Sequence, residues 1–327
     1  MEIPKKLIKK LGEKYRDSSI TAFNGRMKRI FTQVFKTNEY DSALLYESEQ
    51  ILDYIKSLAK VSVQKNILSA VVAFSRAEEM PDKYIKEYEA EFKILADQNE
   101  ALQQYKPPSD EELENFIPFG DVIKIRDNYA ETMPNYKIDE LEAQNKLQEA
   151  TKHQKTVYQK YLILSLYTYV PPLRGEDWFN AVIIPVENAE LYPTLLKAMN
   201  KHIVDVTNNK LVVGTYKTSD KYGTRIIDLP QELVNIINRS FKINNGNPNL
   251  LINYNDSKNR PMNEQAFNKF MNKIFQPKNI SSSMLRKMYI SEKLKEIKTP
   301  EERKKLALVM GHSLASQEFT YSRFRDI

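Results

Sequence analysis

Between residues 18 and about 100 the apolar positions recur at three-to-four spacing, the period of a helix with one buried face. Leu44, Leu45, Ile51, Leu52, Ile55 and Leu58 form one series, and Val61, Ile67, Leu68, Val71, Val72 and Phe74 a second. Tyr84, Ile85, Tyr88, Phe92 and Leu95 place a longer helix over 82–105. The pattern predicts a small helical bundle over 18–105, preceded by a basic arm, 1–17, of weak apolar content that stays mobile until bound. Tyr105-Lys106-Pro107-Pro108 is the best boundary, because paired prolines stop a helix and stiffen an extended linker. Ser109 and Glu112 then have the spacing of a capping box, so a helix restarts at once.

Past the boundary the periods mix. Helices are predicted over 110–117, 138–150 and 153–169. A β section follows, with a short strand at 181–184 and a hairpin of 203–206 with 210–216 around Asn208-Asn209. Residues 224–229 add a strand, reached through the loop 217–223. After Pro230 the helical period returns, with Phe267, Phe270, Met271, Ile274 and Phe275 sharing one face. Further helices are predicted over 282–294, from Thr299-Pro300 to Gly311, and over 314–324. The fold read from this is mainly α with a small antiparallel β-sheet, in two domains, the second spanning 106–327.

Composition narrows the chemistry. With 327 residues, 41% of them hydrophobic, the chain can bury a real core. There is no Cys, which removes disulfides, Cys-zinc sites and thiol catalysis. The three His, at 153, 202 and 312, form no HExxH, so no metal is expected, and no GxxxxGK[ST] loop occurs for a nucleotide. His153 and His202 have no partner motif and read as surface or helix-face residues. No apolar run approaches the ~18 residues of a membrane span, and MEIPKKLIKK lacks the apolar stretch of a signal peptide. The expectation is an intracellular protein without membrane attachment or cofactor.

Charge is uneven. The net +6 is small, but residues 1–36 hold ten basic residues against three acidic, and 107–151 eleven acidic against four basic. A basic stretch suits a polyanion. Lys9, Lys10, Arg26, Lys28 and Arg29 are the candidate DNA contacts there, with Lys258, Arg260 and Lys287 in the second domain.

Four pieces of the second domain could carry chemistry. They are Pro171-Pro172-Leu173-Arg174 with Asp177 three residues on, Tyr216-Lys217-Thr218-Ser219, Ser283-Met284-Leu285-Arg286, and Gly311-His312 with Tyr321 nine residues later. Each alone has an ordinary reading: an ion pair at a helix end, a solvated loop lysine, a helix start, a glycine C-cap. Arg286 is the odd one, because a helix N-terminus disfavours a cation unless an anion relieves it.

In this order the pieces resemble the tyrosine recombinase (phage integrase) family. That family runs Arg, a hairpin Lys, His-x-x-Arg, Gly-His and a Tyr nucleophile. This chain has Arg174, Lys217, Ser283-x-x-Arg286, Gly311-His312 and Tyr321. Ser283 departs from the usual His or Lys, keeping a donor and losing an ionisable ring. The Pro-Pro-Leu-Arg lead-in departs from Thr-Gly-x-Arg and looks more like integrases of large DNA viruses and virophages.

The resemblance implies a two-domain tyrosine recombinase-like fold, with 18–105 as core-binding domain and 106–327 as catalytic domain. It implies a site-specific recombinase or integrase that cleaves and rejoins double-stranded DNA through a 3′-phosphotyrosyl link, without metal or ATP. It would act as a homotetramer wherever its DNA lies, in a host nucleus or cytoplasm or a viral factory. Attack on a phosphodiester builds negative charge, which guanidiniums meet by forking onto non-bridging oxygens. Arg174 and Arg286 take that role. His312 adds a donor and helps remove the Tyr321 proton, and Lys217, or Lys221 in the same loop, protonates the leaving alkoxide. Residues 322–327 follow the nucleophile, so an exchanged segment would be short or include the last helix. Two alternatives share the residues: a type IB topoisomerase acting as a monomer, and a catalytically inactive DNA-binding descendant, for which Ser283 is the only support.

Overall fold

The computed structural model describes residues 2–104, 106–214, 216, 219, 223–322 and 324. The chain divides into two compact units, Met1–Lys106 and Pro107–Ile327, each with its own core.

The first unit is all helical. Its centre is the helix Val61–Ala77, in which Ala70, Val71 and Phe74 are fully buried. The helices Asp17–Gln33 and Asp82–Gln104 pack against it. In the former, Ile20, Phe23, Met27, Ile30 and Phe31 repeat at three-to-four spacing and face the core. Lys28 and Arg29 fall between them and face out. The expected arm differs from the structure. Residues Lys5–Gly12 form a helix, and Ile3, Leu7 and Leu11 belong to the buried core. Three apolar residues at four-residue spacing suffice to dock one helical face, however basic the other side is.

In the second unit the helix Lys152–Thr168 is apolar nearly all round, with Leu162, Ile163, Leu164, Leu166 and Tyr167 buried. It is the core, and Phe119–Thr132 and Gln231–Ile243 flank it. The predicted capping box forms, Glu112 N–H donating to Ser109 Oγ at 3.2 Å, and a second one starts the helix Pro300–Val309, Glu302 N–H donating to Thr299 Oγ1 at 3.2 Å. The helix predicted over 138–150 is broken, with Ile138–Ala143 ending at Asn145, whose φ of 55° is left-handed. Lys146 N–H then closes on Leu141 O at 2.7 Å, a terminating pattern that asparagine tolerates.

The sheet has the order β1 (Ala181–Ile184), β2 (His202–Asp205), β3 (Lys210–Val213), β4 (Arg225–Asp228). It is mixed, which corrects the expected antiparallel sheet. β1 and β2 are parallel, and the other two pairings are antiparallel. The reason is the connection over 185–201, which holds the helix Tyr192–Met199 and carries the chain back to the end of the sheet at which β1 began. His202 lies within β2 at 2% exposure, so it is neither a surface nor a helix residue. His153 is exposed on its helix beside Tyr136. No described helix is long and apolar enough to cross a membrane.

Candidate active site

Arg174 precedes the short helix Gly175–Phe179 in an extended conformation, φ −67° and ψ 151°. The neighbours Leu173 and Trp178 are fully buried and fix this segment. Arg174 N–H donates to Asp177 Oδ2 at 3.1 Å, and its Nη2 donates to Gly311 O at 2.6 Å.

Arg286 sits in the first turns of the helix Ser282–Glu296 and is only 1% exposed. Its Nη1 donates to Pro172 O at 3.0 Å and its Nη2 to Met310 O at 3.0 Å, so one side chain joins the segments before Arg174 and before His312. Burial lowers its pKa from the ordinary value, and Tyr321 opposes that shift. The Arg286 guanidinium carbon lies 5.0 Å from the centre of the Tyr321 ring.

His312 follows the helix Pro300–Val309 through Gly311, whose φ of +67° is left-handed. A Cβ on Gly311 would lie 2.6 Å from Arg225 Nη1 and 3.2 Å from Arg174 Nη1. Glycine is therefore required twice, for the turn and for the two guanidiniums that close on it. His312 Nδ1 lies 2.9 Å from Arg286 Nη2. A guanidinium can only donate, so Nδ1 accepts and the proton sits on Nε2, which donates to Gln317 Oε1 at 3.2 Å. Burial, then the Arg286 charge, push the His312 pKa down to about 3, against the hydrogen bond with Gln317. The neutral ring stacks on Tyr321, with centroids 4.8 Å apart.

The predicted last helix over 314–324 is instead one α-turn, Leu314–Ser316, followed by the wider turn Gln317–Tyr321 with five-residue hydrogen bonding. Such turns are uncommon and cluster at functional sites. Ser291 Oγ–H donates to Tyr321 O at 3.1 Å, pinning the Tyr321 backbone to the helix that carries Arg286.

Arg174, Ser283, Arg286 and Tyr321 line one cleft of about 360 Å³, together with Glu176, Glu264 and Asn268. Among the described residues, Arg174 Nη1 and Arg286 Nε have no hydrogen-bond partner. Ser283 is exposed at the cleft wall. His312 lies behind Tyr321 and does not line the cleft. Lys217 and Lys221 lie outside the described residues.

The other candidates are not at this cleft. Lys287 is ion-paired with Glu112, in the acidic first turn of the helix Asp110–Asn115, and does not line the cleft. Lys258 is exposed and Arg260 is paired with Asp256 at 2.6 Å, neither of them lining the cleft. In the first unit Lys10 is paired with Glu79 at 2.9 Å, and Arg26 donates to Ser69 at 3.4 Å. Arg29 Nε donates to the Tyr54 hydroxyl at 2.8 Å, while Lys9 and Lys28 stand exposed.

Sequence reasoning missed Arg225 and Gln317. Arg225 is 6% exposed, and its Nη2 donates to the fully buried Asp177 at 3.1 Å. In β4 Arg225 shares the buried face with Ile227 while Ile226 and Asp228 face out; each face carries one isoleucine and one charge, so nothing in the sequence signals which is covered. Buried His202 stands near this pair. Burial pushes its pKa down, Asp177 opposing and Arg225 adding to the shift.

No protein-family model and no curated protein matches the chain. Among solved structures a match is found to a chain described as the crystal structure of XerA recombinase, at 14% identity and a TM-score of 0.39, covering 98% of this chain and 95% of that one. At that score no residue of the one chain is placed by the other.

Proposed function

We propose that this protein cleaves and rejoins DNA through Tyr321, as a recombinase or integrase. The observation that carries the reading is the convergence of two guanidiniums, Arg174 and Arg286, with Tyr321 on one cleft. A phosphodiester seated there meets permanent cations on its non-bridging oxygens and a phenol beside them. Attack by the phenol oxygen on phosphorus, its proton passing to water, forms a phosphotyrosyl ester and breaks the P–O5′ bond to release a 5′ alkoxide. The ester keeps the bond energy for rejoining, so neither ATP nor an external nucleophile is called for. In the sequence Lys217, or Lys221, is the proton donor to that alkoxide. His312 acts by holding Arg286 and by backing the Tyr321 ring, since its only lone-pair nitrogen is occupied by Arg286 and cannot take the phenol proton.

The test is a nicked duplex that traps covalent protein. The wild type is expected to give an adduct, in EDTA as well, and Tyr321→Phe none at unchanged DNA affinity. Arg174→Ala is expected to bind and lose most cleavage. Arg286→Ala would leave three buried acceptors unpaired, so Arg286→Lys is the cleaner variant there. An adduct on Tyr321→Phe, or cleavage that vanishes in EDTA, overturns the proposal. Two-site recombination beside supercoil relaxation separates a recombinase from a type IB topoisomerase, and a wild type with no adduct on any duplex supports the inactive descendant.

A further inference from the structure

Arg225 is a buried cation of the second unit that the chemistry above does not use. Its guanidinium makes three different interactions at once. Nη2 donates to Asp177 Oδ2 at 3.1 Å, Nη1 donates to Val309 O at 3.1 Å, and the flat face lies 4.2 Å from the centre of the Tyr216 ring. These partners sit on separate elements: the turn after Arg174, the end of the helix before Gly311-His312, and the chain leaving β3. Asp177 Oδ2 is shared, because it also accepts Arg174 N–H at 3.1 Å. Arg225 and Arg174 both close on Gly311, where a Cβ would come within 2.6 Å of one and 3.2 Å of the other.

Like charges this near in a buried setting repel, and Asp177 is the only carboxylate hydrogen-bonded to either among the described residues. A lysine could not replace Arg225, having neither the fork for two acceptors on different elements nor a plane to lay on Tyr216. Arg225 does not line the cleft, so it does not reach a bound phosphate.

We infer that Arg225 is a positioning residue, which through Asp177 and the Gly311 turn holds Arg174 in the place where it meets the scissile phosphate. This rests on the reading of the cleft as a phosphodiester site. Arg225 sets the angle of Arg174 from behind, while Arg286 is held by its own carbonyl acceptors. Loss of Arg225 therefore weakens one arm of the clamp and leaves DNA binding by the rest of the protein intact.

The test uses the full chain and single-turnover adduct formation on the nicked duplex, in two forms. One carries the ordinary scissile phosphate. The other carries a methylphosphonate there, which lacks one anionic oxygen and so depends less on a correctly aimed cation. Arg225→Gln and Arg225→Lys are each expected to slow adduct formation about 10²-fold on the phosphate, as a misplaced positioning contact does. On the methylphosphonate the loss is expected to shrink below about tenfold, at unchanged DNA affinity. A general loss of structure would slow both substrates alike. If Arg225→Gln does not fold, the comparison is decided on Arg225→Lys, which keeps the charge. Either variant, folded and cleaving the phosphate at the wild-type rate, overturns the inference, and so does an equal loss on both substrates. A wild type that makes no adduct sinks the reading of the cleft instead, and the two failures are told apart by that control.

Discussion

A histidine buried beside a guanidinium behaves unlike a free one, and His312 shows what that does to pH dependence. Its pKa is pushed down to about 3 in the folded chain, against 6.5 for an unstrained imidazole. Between those values the unfolded chain binds a proton that the folded one refuses. Stability therefore falls as pH drops from 6.5 towards 3, at up to about 1.4 kcal/mol per pH unit from this residue. Buried His202 shifts in the same direction and adds to the slope. Urea denaturation from pH 7 to pH 4.5 is expected to show this loss, and His312→Asn to flatten it by about one proton; equal slopes for the two proteins would refute the assignment. Arg174, Ser283, Arg286 and Tyr321, which line the cleft, were legible because order and spacing are sequence properties. Arg225 and Gln317 were not. A lone arginine at a strand start reads as solvent-facing until the fold shows which side of β4 is covered.

At the scale of elements, the sheet turns on Asp205, fully buried at the end of β2. It accepts from Val186 N–H at 3.2 Å, Thr207 N–H at 2.9 Å, Asn208 N–H at 3.2 Å, Asn208 Nδ2 at 2.8 Å and the Tyr192 hydroxyl at 2.7 Å. One carboxylate thus closes the exit of β1, the start of the connecting helix and the turn into β3. Burial alone would raise its pKa; the hydrogen bonds from Asn208, Tyr192 and the two backbone amides outweigh burial and hold it below the usual carboxylate value. Asp205→Ala strips these donors of their acceptor and is expected to cost on the order of 3 kcal/mol in denaturant unfolding. A change below about 0.5 kcal/mol would show that the parallel β1–β2 pairing stands without it. This junction could not be read from the sequence, where Ile203-Val204-Asp205-Val206 is simply an apolar run with one acid. The short strands were legible from their β-branched pairs. Their parallel pairing was not, because it depends on where the chain goes over 185–201.

For the molecule as a whole, the sequence-independent part of DNA binding falls, on the proposed function, to the basic residues of 1–36, and their surroundings differ. Lys10 already has a carboxylate partner, and releasing it to a phosphate means breaking that pair. Lys9 and Lys28 are exposed, with no ion pair among the described residues, so they are free to exchange condensed cations for phosphate contacts. Each such exchange contributes about 0.9 to the slope of log affinity against log salt concentration. The double variant Lys9→Gln, Lys28→Gln is therefore expected to lower that slope by up to about 1.8 on any duplex, whatever its sequence. Lys10→Gln should lower it by much less than either single change. Adduct formation by saturated complex on the nicked duplex should stay at the wild-type rate, because neither lysine lines the Tyr321 cleft. A slope unmoved by the double variant would remove the helices Lys5–Gly12 and Asp17–Gln33 from the DNA-facing surface. The phosphate contacts would then have to come from the second unit, where Lys287 and Arg260 are already neutralised by carboxylates and Lys258 is not.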